Sequence, residues 1–356
     1  MNKRLTLILL FLLHLASIFA IVPERMISAT DKGHWMAIAA LFLIELPILW
    51  LYLKALALFP EKTAADICMD ALGKWGARLI VLPLLIFLFL LIFTQMYYQT
   101  VEIKAVLLQQ TPFAATSVLY VFLIFYGAWK GLSVIIRSSM LWFFLYMPFV
   151  LFSMLISIKN LRFSYIFPVW DGSFSFLFHP DFYVGMVIYA GFLFLGMTSS
   201  KKPIGFGKAA AVVGIVFVFA MGSVYIPLLV FGQETAVHMK YPLLMASDTI
   251  DMEWVVFDWL PSFYVVSSNA LGVLKASVLI WMFVSLLHLL FIPKANSKWI
   301  LSIASIILYV SVQLIPNENT LNNYLYLNSY FCLYSTIGFP IIVFLVAQWR
   351  RRKVNA

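Results

Sequence analysis

Apolar residues run almost unbroken from Leu5 to Gln348, and polar residues gather in short gaps between the runs. A helix needs about 20 mostly apolar residues to cross the hydrocarbon core of a bilayer. In lipid the backbone must satisfy its own hydrogen bonds, which leaves helices or a closed barrel. Barrel strands alternate apolar and polar positions, whereas these runs are continuous and read as helices. The pattern predicts ten spans, at 5–22, 35–58, 79–108, 114–133, 138–158, 182–200, 209–231, 259–290, 299–315 and 325–348. Asn269, Gly272 and Lys275 interrupt span eight and make it the least regular of the ten.

Composition strengthens this reading. Apolar residues make up 63% of the 356-residue chain and charged residues 11%, against roughly 45–50% and 25% in soluble domains. The gaps are too short for a separate soluble domain. The net charge of +9 does not point to nucleic acid, because the basic residues sit at span ends. With the amino terminus in the cytoplasm, 16 Lys and Arg fall in inside segments and 6 in outside loops. That asymmetry orients the chain. Both termini then lie inside, with the lipid bilayer as the surrounding medium. Lys3 and Arg4 before an apolar run also resemble a signal peptide cut after Ala20,. Cys68, in a loop, and Cys332, in a span, define neither a disulfide framework nor a metal site, and both are expected to pack,.

Loop lengths carry a symmetry that favours a span over a leader. The loop 59–78 between spans two and three holds an amphipathic stretch, Thr63 to Trp75; the loop 232–258 between spans seven and eight holds another, Pro242 to Trp254. Spans two and three thus map onto seven and eight. An odd number of spans per half makes the second half inverted, a common transporter plan. Residues 1–158 form the first five-helix repeat, 159–181 an extracytoplasmic linker, and 182–356 the second repeat with a basic C-terminal tail. The expected class is an all-α integral membrane protein with a five-plus-five inverted repeat, amino acid transporter-like.

Four stretches carry a family resemblance: Lys32-Gly33-His34-Trp35; Phe59-Pro60-Glu61-Lys62-Thr63 with Leu72-Gly73-Lys74 and Gly76; Gln110-Thr111-Pro112-Phe113 with Tyr126-Gly127 and Ile136-Arg137; and Tyr241-Pro242-Leu243-Leu244. In order and spacing the chain resembles the B subunit of spore germinant receptors, a family within the amino acid–polyamine–organocation transporter superfamily. The resemblance implies a receptor subunit of the inner spore membrane that senses a small germinant such as an amino acid, beside A and C subunits. It also implies a ligand pocket like that of an amino acid transporter. A secondary transporter of amino acids or a similar small polar solute is the alternative, and a scaffold without a ligand is a third reading. The chain departs from the family in three places. Span one has Ser17-Ile18-Phe19 and no glycine at its middle, span six reads Gly191-Phe192-Leu193-Phe194 where an acidic residue is common, and Phe257-Asp258-Trp259 stands where an Arg-containing stretch is usual.

No Walker loop, GxSxG elbow or metal-spaced His/Cys cluster occurs, so neither catalysis nor a cofactor is expected,. Ionisable groups inside spans cost about 2.5–3.5 kcal/mol at the centre and single themselves out. Lys54 can snorkel. Glu102 and Lys104, near the outer end of span three, are expected to be solvated. Glu45 reads as structural and His14 as a helix–helix hydrogen-bonding residue. Lys275 reads either as a fixed cation beside a pocket or as half of an ion pair or carbonyl contact. Gly191 and Gly196 permit unwinding of span six, or close packing. Ser17, Thr94, Gln95, Tyr98, Ser268 and Asn269 place polar groups at matching depths. Together with Gly191, Gly196 and Lys275 they are the candidate ligand-binding set, expected around a midplane cavity near Ser17, Gln95, Gly191 and Asn269.

The orientation is checked by single cysteines. Lys62→Cys, Lys202→Cys and Lys298→Cys are expected to resist a membrane-impermeant thiol reagent in intact cells, and Lys240→Cys to label. The reverse pattern refutes the orientation.

Overall fold

The computed structural model describes residues 2–170, 172–199, 204–249 and 260–355. Of the positions singled out above, Lys202, Trp254 and the Phe257-Asp258-Trp259 stretch lie outside the described residues. Nine helical segments among those described are long and apolar enough to cross a membrane, and the shorter apolar helix Ser297–Gln313 makes the tenth. They are span one (Lys3–Ala20), two (His34–Leu58), three (Ala64–Val106), four (Phe113–Lys130), five (Leu132–Asn160), six (Pro180–Met197), seven (Phe206–Phe231), eight (Pro261–Leu290), nine (Ser297–Gln313) and ten (Glu318–Lys353). Ten crossings return the chain to its starting side, called here the terminal face. The opposite side is the linker face.

The spans repeat their irregularities five positions apart. Span one ends at Ala20 and resumes as a short helix, Val22–Ala29; span six alternates α-helical and tighter 3₁₀ turns from Pro180 to Met197. Spans two and seven each carry an internal proline, Pro47 and Pro227. Each is followed by a short helix before the next span: the first turns of span three up to Gly73, and Pro242–Asp248. The sequence separates the amphipathic stretch Thr63–Trp75 from a span beginning at 79. In the structure a kink at Gly73 (φ 74°, ψ 176°) separates them into a short helix and the span, with no loop between. Only glycine adopts such a backbone without strain, so the short helix turns there into the span. Thr63 caps its start in a reciprocal capping box with Asp66,. Cys68 therefore sits in a helix rather than a loop, and both cysteines are free and buried.

Span one is buried on every side from Leu9 to Ala20, as expected of a helix that is apolar all round. It packs against spans five, six, seven and eight. Span eight packs against spans one, three, four, five and nine. Spans four, five and nine form the rim, where Phe122, Leu141, Phe144 and Ile306 point outward. Span ten widens at a π-helical turn, Tyr334–Gly338, and continues to the C-terminal tail. There Arg350 donates to Asp70 at 2.5 Å, and Lys62 also pairs with Asp70. The two repeats are thereby tied on the terminal face.

Spans one and six meet where glycine removes a side chain. A Cβ at Gly191 would lie 2.5 Å from His14 Nδ1. Gly191→Ala is therefore expected to push the His14 ring off its partners, at the cost of overpacking, about 1–3 kcal/mol. The expected result is a lower thermal-unfolding midpoint in detergent; an unchanged midpoint refutes this contact.

Candidate ligand site between spans one, three and eight

Buried polar groups converge on the contact between spans one, three and eight. Span three presents Gln95, Gln99 and Glu102 at i, i+4 and i+7, on one face of the helix,. Span eight answers with Ser268, Asn269 and Gly272. Gln95 Nε2 donates to the Gly272 carbonyl at 2.9 Å. Gly272 has no side chain because the Gln99 amide occupies the space a Cβ would need. Glu102, expected to be solvated, is 1% exposed. Asn269 Nδ2 donates to it at 2.9 Å and Ser268 Oγ at 3.2 Å, and Tyr120 donates to Asn269 Oδ1. Packing of span eight covers the outer end of span three, and loop proximity alone did not reveal that.

Lys275 reaches the other way, to Ser17 Oγ of span one, and both are buried. Two candidates singled out separately in the sequence are thus direct partners. Just beyond Ser17 the chain of span one is interrupted. Pro23 has no N–H, so the Phe19 carbonyl four residues earlier loses its helical donor. Tyr264 of span eight donates to that carbonyl at 2.9 Å. A proline, rather than a central glycine, breaks this span.

The remaining candidates divide. Thr94 donates to the Leu90 carbonyl of its own helix at 2.8 Å. Gly191 lies against His14 and Gly196 against Tyr52. His14 Nδ1 meets the Leu10 carbonyl at 2.8 Å and Nε2 meets Glu45 Oε1 at 2.7 Å, with neither side chain exposed. A carbonyl only accepts, so Nδ1 donates there, and the Nε2–Oε1 contact ties spans one and two. At Ser17, Gln95, Gly191 and Asn269, the positions expected around a midplane cavity, the spans meet directly.

Space opens instead toward the linker face. A cleft of about 10 Å³ adjoins Ile21, Leu91, Asn328 and Ser329. Beyond it a polar chamber of about 160 Å³ is bounded by Glu24, Arg25, Tyr98, Lys240, Glu318 and Asn322 among others. Arg25 donates to Asp181 at 2.9 Å and Asn322 Oδ1 at 2.7 Å, and its other neighbour is Glu24 at 3.1 Å. Tyr98 abuts Glu24 and donates to the Lys240 carbonyl at 2.7 Å. Lys240 pairs with Glu318. Tyr98 thus belongs to this chamber rather than to the Gln95 seam. The sequence signal for it was the adjacent Glu24-Arg25 pair just past a proline.

This architecture defines a helical integral membrane protein of the inverted-repeat, transporter-like class. A family profile described as "Spore germination protein" matches residues 1–320, and the chain belongs to that family. No curated protein matches the chain. Among solved structures it is similar to MhsT, in the crystal structure in complex with L-phenylalanine. The TM-score is 0.71 at 14% identity, over 96% of this chain and 88% of that one. That likeness shows the fold. Family and fold together point to a transporter or receptor rather than an enzyme.

Lys275 separates charge from packing. Lys275→Met keeps the length without the charge and Lys275→Arg keeps the charge without the shape. Ligand response is expected to be lost in the Met variant at normal protein level and membrane insertion. An equal response in the Met variant and wild type assigns Lys275 to packing.

Proposed function

We propose that this protein is a germinant-sensing receptor subunit of the inner spore membrane, responding to a small polar metabolite such as an amino acid. The observation that carries the reading is the seam of buried polar groups between spans one, three and eight, on a fold of this class in a chain of this family. Inverted-repeat proteins bind solutes near the midplane, beside discontinuous helices, and span one is interrupted at Ile21, next to Ser17. Ser17, Thr94, Gln95, Tyr98, Gly191, Gly196, Ser268, Asn269 and Lys275 are proposed to line the ligand's route when the bundle opens. Lys275 is proposed to serve as a fixed cation beside that route, held by Ser17.

Sensing requires only that ligand binding favour one arrangement of the bundle over another. A and C subunits of a germinant receptor are the proposed recipients of that shift. Their contact surface belongs to the rim spans or the linker, since the interior is filled by the chain's own side chains. Both termini are proposed to be cytoplasmic.

Spores lacking this protein test the function. Loss of germination with one set of germinants, with solute uptake by growing cells unchanged, is the expected outcome. Normal germination in every medium together with lost uptake of a solute establishes a transporter instead.

A further inference from the structure

The chamber on the linker face is lined by four separate parts of the chain and braced by a fifth. Glu24 and Arg25 come from the short helix after the break in span one, Tyr98 from span three, Lys240 from the loop after span seven, and Glu318 and Asn322 from the start of span ten; Asp181 at the head of span six braces Arg25 from behind. Its walls carry both signs of charge. Arg25 is 4% exposed, and its Nε has no hydrogen-bond partner although the other guanidinium nitrogens are engaged. The Lys240–Glu318 pair stands at the solvent-facing rim, with Lys240 also 5.7 Å from the Tyr98 ring centre.

We infer that this chamber is a binding site for a small zwitterion, which enters by separating Lys240 from Glu318 and takes the place of each ion's partner. Its carboxylate meets Arg25 Nε and Lys240; its ammonium meets Glu24 and Glu318. The inference rests on the proposed function only for the ligand's biological role.

Three arguments carry it. The first is charge balance. A lone anion beside Arg25 or a lone cation beside Glu24 disturbs a pair whose side chains are buried or nearly so, and leaving one of them unpaired is costly,. A zwitterion offers both signs and leaves none unpaired. The second is size. An apolar cavity of about 150 Å³ accepts benzene, a molecule of six heavy atoms, and this chamber of about 160 Å³ suits an amino acid of similar size. The third is Arg25 itself. The residue lines the chamber while its Nε is shielded and unpaired; a buried donor without an acceptor is unfavourable, and a ligand carboxylate that turns the guanidinium supplies the missing acceptor. Occupancy also has a mechanical consequence. Lys240 and Glu318 release each other, so the loop after span seven and the head of span ten are freed while Arg25 holds the outer half of span one.

The full-length protein in lipid nanodiscs tests this. Thermal unfolding is followed with a panel of small zwitterions (glycine, alanine, β-alanine, valine) and with propionate and ethylamine, separately and mixed. At least one zwitterion is expected to give a saturable upward shift in midpoint, and the acid and amine none. Lys240→Met and Glu318→Gln are each expected to weaken that binding at least tenfold. The double exchange Lys240→Glu with Glu318→Lys restores the rim pair and is expected to fold normally. Ser28→Leu, which fills the chamber and keeps every charge, is expected to abolish binding. No shift from any zwitterion overturns the inference. Binding unaltered in Lys240→Met, Glu318→Gln and Ser28→Leu also overturns it and moves the ligand elsewhere in the bundle. Either result leaves the sensing role to be decided by spore germination, so the two readings fail separately.

Discussion

A polar group buried in a lipid-embedded bundle must find its partner on another part of the protein, because no water is there to supply one. Span one illustrates the constraint most fully. It is enclosed on all sides, yet it carries His14 and Ser17, and its carbonyl at Phe19 is left free by Pro23. Glu45 of span two takes up His14, Lys275 of span eight takes up Ser17, and Tyr264 of span eight takes up Phe19. Each contact joins a different pair of elements or a different level of the same pair. Leaving a buried donor or acceptor unpaired typically costs about 1–3 kcal/mol, because the survivor stays buried. Span one is therefore fixed in rotation and in depth by its polar residues, while its leucines supply the bulk.

The same requirement shapes span eight. Facing span three it offers Ser268 and Asn269 to Glu102 and bares the Gly272 carbonyl to Gln95; facing span one it offers Lys275 and Tyr264. One helix thus couples two neighbours through separate polar faces. A movement of span eight relative to either neighbour exchanges hydrogen bonds rather than apolar surface. Such exchanges are discrete, which favours a bundle with distinct arrangements over one that deforms gradually.

Hydropathy made the ten spans and their inverted pairing legible, because burial in lipid imposes length and composition on every helix. Several details escaped it for physical reasons. The amphipathic stretch before span three was legible, but its direct junction with the span through Gly73 was not, because a single residue of positive φ leaves no mark on hydropathy,. Glu102 was taken as solvated because its distance from the span centre was visible, whereas the side chains that cover it belong to span eight. Ser17 and Lys275 were singled out separately, and their partnership required the packing of spans 258 residues apart. His14 was read as a helix–helix hydrogen-bonding residue, and it meets Glu45 of span two, though Glu45 was identified only as a separate structural residue. Arg25 was counted only as an outside charge, since nothing local marks Asp181 and Asn322 as its neighbours.

The wide turn at Tyr334–Gly338 sets the phase of everything after it. Each residue of a regular helix advances about 100° around the axis, so one residue more or fewer in that turn rotates the whole remaining tail by that angle. Arg350 meets Asp70 only in the present phase. The tie between the two repeats on the terminal face is therefore set by residue count within a buried segment more than a turn of helix away, and insertions there act on a contact they never touch.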